Sequence, residues 1–257
     1  MASDPWEAPV TEHTIAMNAP AEHVQPRFFV WMAGFCVLLT FAGFTPTYWG
    51  PLATASLGEF SPAVHIHGAL FFSWTLLLFM QSWLVARGRL ETHRSIGLVG
   101  VSLATAMVIF GFIVSLHANV ERIEAGQVAR AYDLGFSNTV ALSAFATMVA
   151  LAIHKRRRPA SHKRLMLFAT CMLLNPPVGR LYRPMFAPSP PPPWLVFVTI
   201  DAILVACILY DWRTLRRVHP VTLGSGLALL AFQILRFPLP HMAWWQTTYD
   251  VLLRLVA

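Results

Sequence analysis

Residues Val64 to Gly100 read VHIHGALFFSWTLLLFMQSWLVARGRLETHRSIGLVG. The stretch opens on His65 and His67, then runs through about one bilayer thickness of apolar and aromatic side chains. It closes on a basic turn, Arg87, Arg89, Glu91, His93 and Arg94, before a second apolar run begins. A span, a basic turn and a further span predict a transmembrane helical hairpin with its turn in the cytoplasm.

The composition extends that reading to the whole chain. Of 257 residues, 56% are hydrophobic and only 12% are charged, against about 25% charged in a soluble domain. The expected architecture is all-α: one transmembrane bundle of about seven helices over residues 27–257, preceded by a polar cytoplasmic tail, 1–26. The tail holds no apolar core before Phe28, so it does not read as a signal peptide. The net charge of +7 does not point to nucleic acid, because the bases sit in short loops between apolar runs. The expected surroundings are the lipid bilayer of a bacterial inner (plasma) membrane.

Spans are predicted at about 28–46, 63–86, 95–117, 134–154, 165–187, 194–212 and 219–237. The loops between them cover about 47–62 and 118–133, with a polyproline connector at 188–193. The turns after spans two, four and six hold three, six and three of the 19 Lys and Arg residues. That side is therefore expected in the cytoplasm, with the N-terminus inside and the C-terminus outside. The fifth span carries Asn175, Pro176 and Pro177 at its middle and should kink there. Trp244 and Trp245 in the last segment suit a membrane interface.

The absent motifs exclude several chemistries. Cys36, Cys171 and Cys207 each lie inside an apolar run, and no CxxC or CxxCH occurs. Structural zinc, iron–sulfur clusters and covalently attached c-type haem are therefore unsupported. No clustered HxxxH and HxxHH boxes, HExxH, GxSxG or GxxxxGK[ST] is present, so a di-iron hydroxylase, a zinc protease, a serine hydrolase and a nucleotide-driven pump are unsupported too.

The chemistry-bearing residues are mainly histidines. His13 and His23 belong to the tail. His93, His154, His162 and His219 fall at cytoplasmic ends of spans, and His65, His67, His117 and His241 toward the outer ends. His65 and His67 lie roughly 200° apart on a helix and cannot share one ligand without unwinding. His67 falls on one stripe with Phe71, Trp74, Leu78 and Gln81, so it is expected to face the bundle. It reads either as a ligand or as an interfacial histidine bonded to a neighbouring helix. His93 and His162, flanked by positive charge, suit an axial ligand or a headgroup phosphate. His65, His67 and His93 are the candidate metal ligands. Gly97, Gly100, Ala104, Gly111 and Ser115 form a small-residue seam on the third span, with His117 about 200° away from Ser115.

Asp201, two turns into the sixth span, needs a partner or a proton. Arg180 and Arg183 are the expected partners by topology. Asp201 and Gln81 are the other buried polar candidates. A weak internal repeat also shows: a base, five residues, His and a base recur at Arg87–Arg94 and Arg156–Lys163, suggesting related hairpins over 63–117 and 134–187.

Four motifs carry a resemblance. They are His65-Ile-His-Gly68, Gly88-Arg-Leu-Glu-Thr-His-Arg-Ser-Ile-Gly97, His162-Lys-Arg-Leu-Met166 and Tyr210-Asp-Trp-Arg-Thr-Leu-Arg-Arg-Val-His-Pro220. In this order they resemble a bacterial family of uncharacterised, histidine-containing multi-span membrane proteins. A more distant likeness is to the di-haem transmembrane cytochromes b, where histidines on four central helices hold one haem near each face. That likeness implies haem b as cofactor, with His67, His117, His154 and His162 as the corresponding histidines. An outer site would take His67 with His117 or His65, walled by Phe71, Phe72 and Trp74, with Arg180 and Arg183 for the propionates. An inner site would take His162 with His93 or His154. Two functions stay open: a b-type haem or metal-binding redox protein working with a quinone or other membrane subunits, and a non-enzymatic accessory subunit, transporter or sensor.

Overall fold

The computed structural model describes residues 27–56, 58 and 61–256; the predicted cytoplasmic tail lies outside them. Ten helices follow in order among these residues. They are α1 (Arg27–Phe44), α2 (Gly50–Ala53), α3 (Pro62–Ala86), α4 (Leu90–Glu124) and α5 (Val128–His154), then α6 (Pro159–Met172), α7 (Asn175–Phe186), α8 (Pro193–Leu215), α9 (Pro220–Leu235) and α10 (Ala243–Leu253). No strand occurs among the described residues. A π-helical turn, Thr45–Trp49, joins α1 to α2, so residues 27–53 run as one rod.

Five helical stretches are long and apolar enough to cross a membrane: 27–53, α3, α4, α5 and α8. Large apolar side chains such as Trp31, Leu98, Val198 and Ile234 point away from the bundle, as lipid-facing residues do. The spacing of tryptophans on α8 agrees. Trp194 and Trp212 are 62% and 60% exposed, and 18 residues of helix between them span about 27 Å, close to the hydrocarbon thickness.

The remaining predicted spans differ in detail. The fifth is two helices, α6 and α7, with the break at Leu173–Leu174, ahead of the prolines. Proline disfavours helix in the residue before it but fits the first turn of a new one, and Pro176 and Pro177 sit in the first turn of α7. The predicted loop at 118–133 is nearly all helix, since α4 extends to Glu124 and α5 starts at Val128. At 35 residues, α4 is about 52 Å long, well beyond one bilayer core. The last segment forms α10, packed on the overhanging ends of α4 and α5. There Asn119, fully buried, donates from Nδ2 to Tyr249 Oη at 2.6 Å, and Tyr132 Oη donates to Asp250 Oδ1 at 2.6 Å.

α6 is the central element. Its residues from Leu167 to Met172 are almost all buried, and it touches α1, α3, α5 and α9. Trp74 of α3 donates from Nε1 to Thr170 Oγ1 at 3.0 Å and meets Phe145 of α5 edge-on at 4.9 Å. The seam on α4 packs as expected: Gly100 faces Leu77 of α3, Gly111 faces Leu142 of α5, and Ser115 Oγ accepts from Asn138 Nδ2.

At the basic end, α6 carries Arg164, whose guanidinium is paired with Asp211 of α8; both side chains are 0% exposed. Asp211 Oδ1 accepts from Arg164 Nε (3.1 Å) and Nη2. Its Oδ2 accepts from Thr222 Oγ1 (2.5 Å) and the His219 backbone N–H (3.0 Å). Arg164 Nη1 donates back to the Ala160 carbonyl at 2.7 Å. The guanidinium lies 5.6 Å from the Phe29 ring of α1 and 5.9 Å from the Tyr210 ring. One carboxylate thus ties α6, α8 and the start of α9, with α1 closing over the charge.

Two outcomes follow. Asp211→Asn leaves Arg164 buried without a counter-charge and should cost about 3–5 kcal/mol, read as a lower melting temperature in detergent. Adding Arg164→Met should recover only part of the loss, because Thr222 and the His219 N–H still face an altered acceptor; an unchanged melt for Asp211→Asn would show that the pair stabilises nothing. Gly43 sets the α1–α7 crossing, since an added Cβ would stand 2.1 Å from the Pro177 carbonyl oxygen. Gly43→Ala should therefore cost about 1–3 kcal/mol, whereas Gly179→Ala, with open space around it, should be neutral. Equal melting temperatures for the two would mean that α1 and α7 separate freely.

Candidate functional site

The predicted polar stripe of α3 faces inward. Trp74 and Leu78 are buried, and His67 and Gln81 lie at its two ends with polar atoms shielded from solvent. Fourteen residues separate His67 from Gln81, about 21 Å along the helix. The stripe thus ends in two distinct groups of side chains, one near each end of the bundle.

The first group surrounds His67. The π turn after α1 swings Tyr48 and Trp49 against the start of α3. Phe41 stacks on Trp49 at 5.7 Å, and Phe72 touches Phe41, Phe44 and Trp49 at 5.0, 5.3 and 4.8 Å. His65 and His67 point apart, as their spacing requires. His65 Nδ1 shares a hydrogen bond with Tyr48 Oη at 3.0 Å. His67 lies on Phe71 at 4.3 Å between ring centres, and its Nδ1 is buried with no hydrogen-bond partner. Thr47 Oγ1 and Trp49 Nε1 in the adjoining π turn are likewise buried and unbonded. A buried polar atom without a partner is costly, and three lie on these neighbouring segments. Arg180 of α7 lies close enough for its charge to act on His67; its guanidinium sits 4.7 Å from the Phe44 ring and donates to the Pro176 carbonyl. Arg183 is exposed, and so is His117; no hydrogen bond or ring contact joins His117 to His67.

The second group joins the two basic turns. His93 is the fourth residue of α4 and His162 the fourth of α6, equivalent positions of the two repeat motifs. Their rings stand edge to face with centres 6.3 Å apart. His162 Nδ1 lies 2.9 Å from the Ala152 carbonyl oxygen. A carbonyl only accepts, so Nδ1 is the donor here, which in a neutral ring leaves the lone pair on Nε2. His93 Nδ1 and Gln81 Oε1 are buried without hydrogen-bond partners. His154, the other inner candidate, is exposed.

The three candidate metal ligands do not converge. His65 turns to Tyr48, His67 to Phe71, and His93 joins His162 about 21 Å down the stripe. No group of three or more His, Cys, Asp or Glu side chains among the described residues is placed to hold a metal ion. One imidazole lies among aromatic rings in the first group, and two lie together in the second, with an arginine near each.

Asp201 differs from expectation. It accepts from Gln233 Nε2 of α9 at 2.8 Å and is half-buried. Neither Arg180 nor Arg183 pairs with it: α7 meets α8 nearby through Tyr182 and Thr199, 2.9 Å apart, and Arg180 donates to the Pro176 carbonyl. Gln233 is the partner that sequence reading passed over, as is Arg236, which donates to Asn175 Oδ1 at 2.9 Å. The larger omission is Arg164–Asp211, since Arg164 entered only as one of the six bases after span four. The signal was present: in the basic turns at this end only Glu91 and Asp211 are acidic, and Asp211 lies one residue past Tyr210 on an apolar helix.

Compared with known proteins, the chain matches no family model, no curated protein and no solved structure.

Proposed function

We propose that this chain is a seven-span inner-membrane protein, N-terminus in the cytoplasm and C-terminus outside, that binds haem b through histidines and carries electrons. The observation that supports this most is the pair of buried, unbonded ring nitrogens, His67 Nδ1 on α3 and His93 Nδ1 on α4. In this reading α6 with α7, and α9, complete the seven crossings. A quinone or another membrane subunit is the partner.

His67 is the ligand at the outer end, with Phe71 and Phe72 as walls and Arg180 as the cation for propionates. His162 and His93 serve the inner end. The Ala152 carbonyl takes up His162 Nδ1 and turns Nε2 outward, the type of outer contact that orients a ligating imidazole. Haem b, when bound, supplies a one-electron couple whose potential follows its axial ligands and local polarity. The protein contributes the dry aromatic surroundings at His67 and the basic ones at His162. The alternative, an accessory subunit, transporter or sensor, is supported by the Arg164–Asp211 pair, which shows buried charge spent on holding helices together.

The deciding measurement is the absorption spectrum of protein purified from haem-replete cells. A Soret band and a reduced α-band are expected. His67→Ala should remove part of the signal at unchanged expression, and His162→Ala a separate part. A colourless preparation with no bound transition metal would leave the accessory or transport role. Topology has its own check: alkaline phosphatase fused after residue 256 should be active and a fluorescent protein there dark. The reverse would mean that α6 and α7 do not make a crossing.

A further inference from the structure

At the basic end of the bundle a cavity of about 420 Å³ opens between the turn that joins α5 to α6 and the turn that joins α8 to α9. Lys155 and Arg158 line it from one turn, and Arg217 from the other. None of these three side chains forms an ion pair or hydrogen bond among the described residues. The carboxylate close by, Asp211, offers them nothing, since it already accepts four hydrogen bonds. Three like charges around one void repel each other, and an entering anion relieves that repulsion.

Two further features prepare the cavity for an anion. Ser161 lines it, is only 9% exposed, and its hydroxyl makes no hydrogen bond. α6 also begins here, with Pro159 in its first turn and no side-chain cap. Pro159 has no N–H, and those of Ser161 and His162 bond the Arg158 carbonyl, so the Ala160 N–H and the helix dipole are what favour negative charge in front of α6. A buried hydroxyl donor, a helix N-terminus and cations around one void make up the donor set that phosphate oxygens require.

We propose that this cavity binds a phosphate group, held by Lys155, Arg158, Arg217 and the Ser161 hydroxyl. Its place at the end of the bundle, beside the exposed Trp212, puts it at headgroup depth. The phosphate can belong to an anionic phospholipid or to a soluble phosphate compound, and basic pockets between helix ends serve the first in other membrane proteins. The site is independent of the histidine groups, so its presence does not depend on haem.

The test uses the full chain in detergent, with bound lipid read by native mass spectrometry. Phosphatidylglycerol should be retained in preference to phosphatidylcholine. The double variant Arg158→Gln/Arg217→Gln should weaken retention about tenfold per arginine, and Ser161→Val by a smaller factor. Arg156→Gln/Arg157→Gln removes the same charge from outside the cavity and should change retention little. Inorganic phosphate separates the sources: displacement of the lipid at millimolar phosphate shows that a free phosphate compound also fits, and lipid that resists phosphate shows a headgroup site. Equal loss in the two double variants would reduce the effect to diffuse surface charge and overturn the proposal. No preference for phosphatidylglycerol together with no effect of phosphate would overturn it as well.

Discussion

The Arg164–Asp211 pair is the constraint on which the helix arrangement depends. An unpaired guanidinium or carboxylate in a dry interior is far costlier than any single apolar contact. Once Arg164 enters the bundle on α6, α8 must therefore bring Asp211 to it. Asp211 in turn needs donors for its second oxygen, and those come from the first turn of α9. The crossing of α6, α8 and α9 at this end is thus set by hydrogen-bond geometry, while α1 is positioned by the faces of Phe29 and Tyr210 beside the cation. The apolar contacts elsewhere follow from that arrangement. In a bilayer they contribute little directional preference, because lipid tails are as apolar as the side chains they would replace.

Much of the fold was legible because hydropathy and basic turns are local signals. α3, α5 and α8 lie close to their predicted bounds, and the inward stripe from His67 to Gln81 follows from helical period alone. The failures have a common cause. The helical overhang of α4 and α5 was read as loop because its charged residues, Glu121, Arg122, Glu124 and Arg130, resemble those of a turn. Only α10, far along the chain, shows that this stretch has something to pack on. Gln233 as the partner of Asp201, and Asp211 as the partner of Arg164, are likewise choices among polar groups on separate helices. Period and composition rank no such choices. The candidate site was legible in the same uneven way: the facing direction of His67 was readable, but the meeting of His93 with His162 across the two basic turns rested on a repeat too weak to place them.

The bundle holds two opposite arrangements of buried polarity. At the Arg164–Asp211 end, donors and acceptors balance and the geometry is fixed. Around His67 and around His93 they do not balance: nitrogen, hydroxyl and amide atoms are withdrawn from solvent and left unbonded. The unbonded atoms lie on the π turn, α3, α4 and, at Asn175 Nδ2, α7, whereas the balanced ones lie on α6, α8 and α9.

The cap formed by α10 bears on the order in which the chain matures. Tyr249 fits against Gly135 so closely that a Cβ there would stand 2.3 Å from the ring, and its hydroxyl bonds Asn119, which precedes it by 130 residues. During synthesis α4 and α5 leave the ribosome long before Tyr249 exists. The notch at Gly135 and the amide of Asn119 must stay accessible throughout that interval. The hairpin is therefore incomplete until α10 arrives, and a nascent chain stalled before residue 243 would present an open notch at that end.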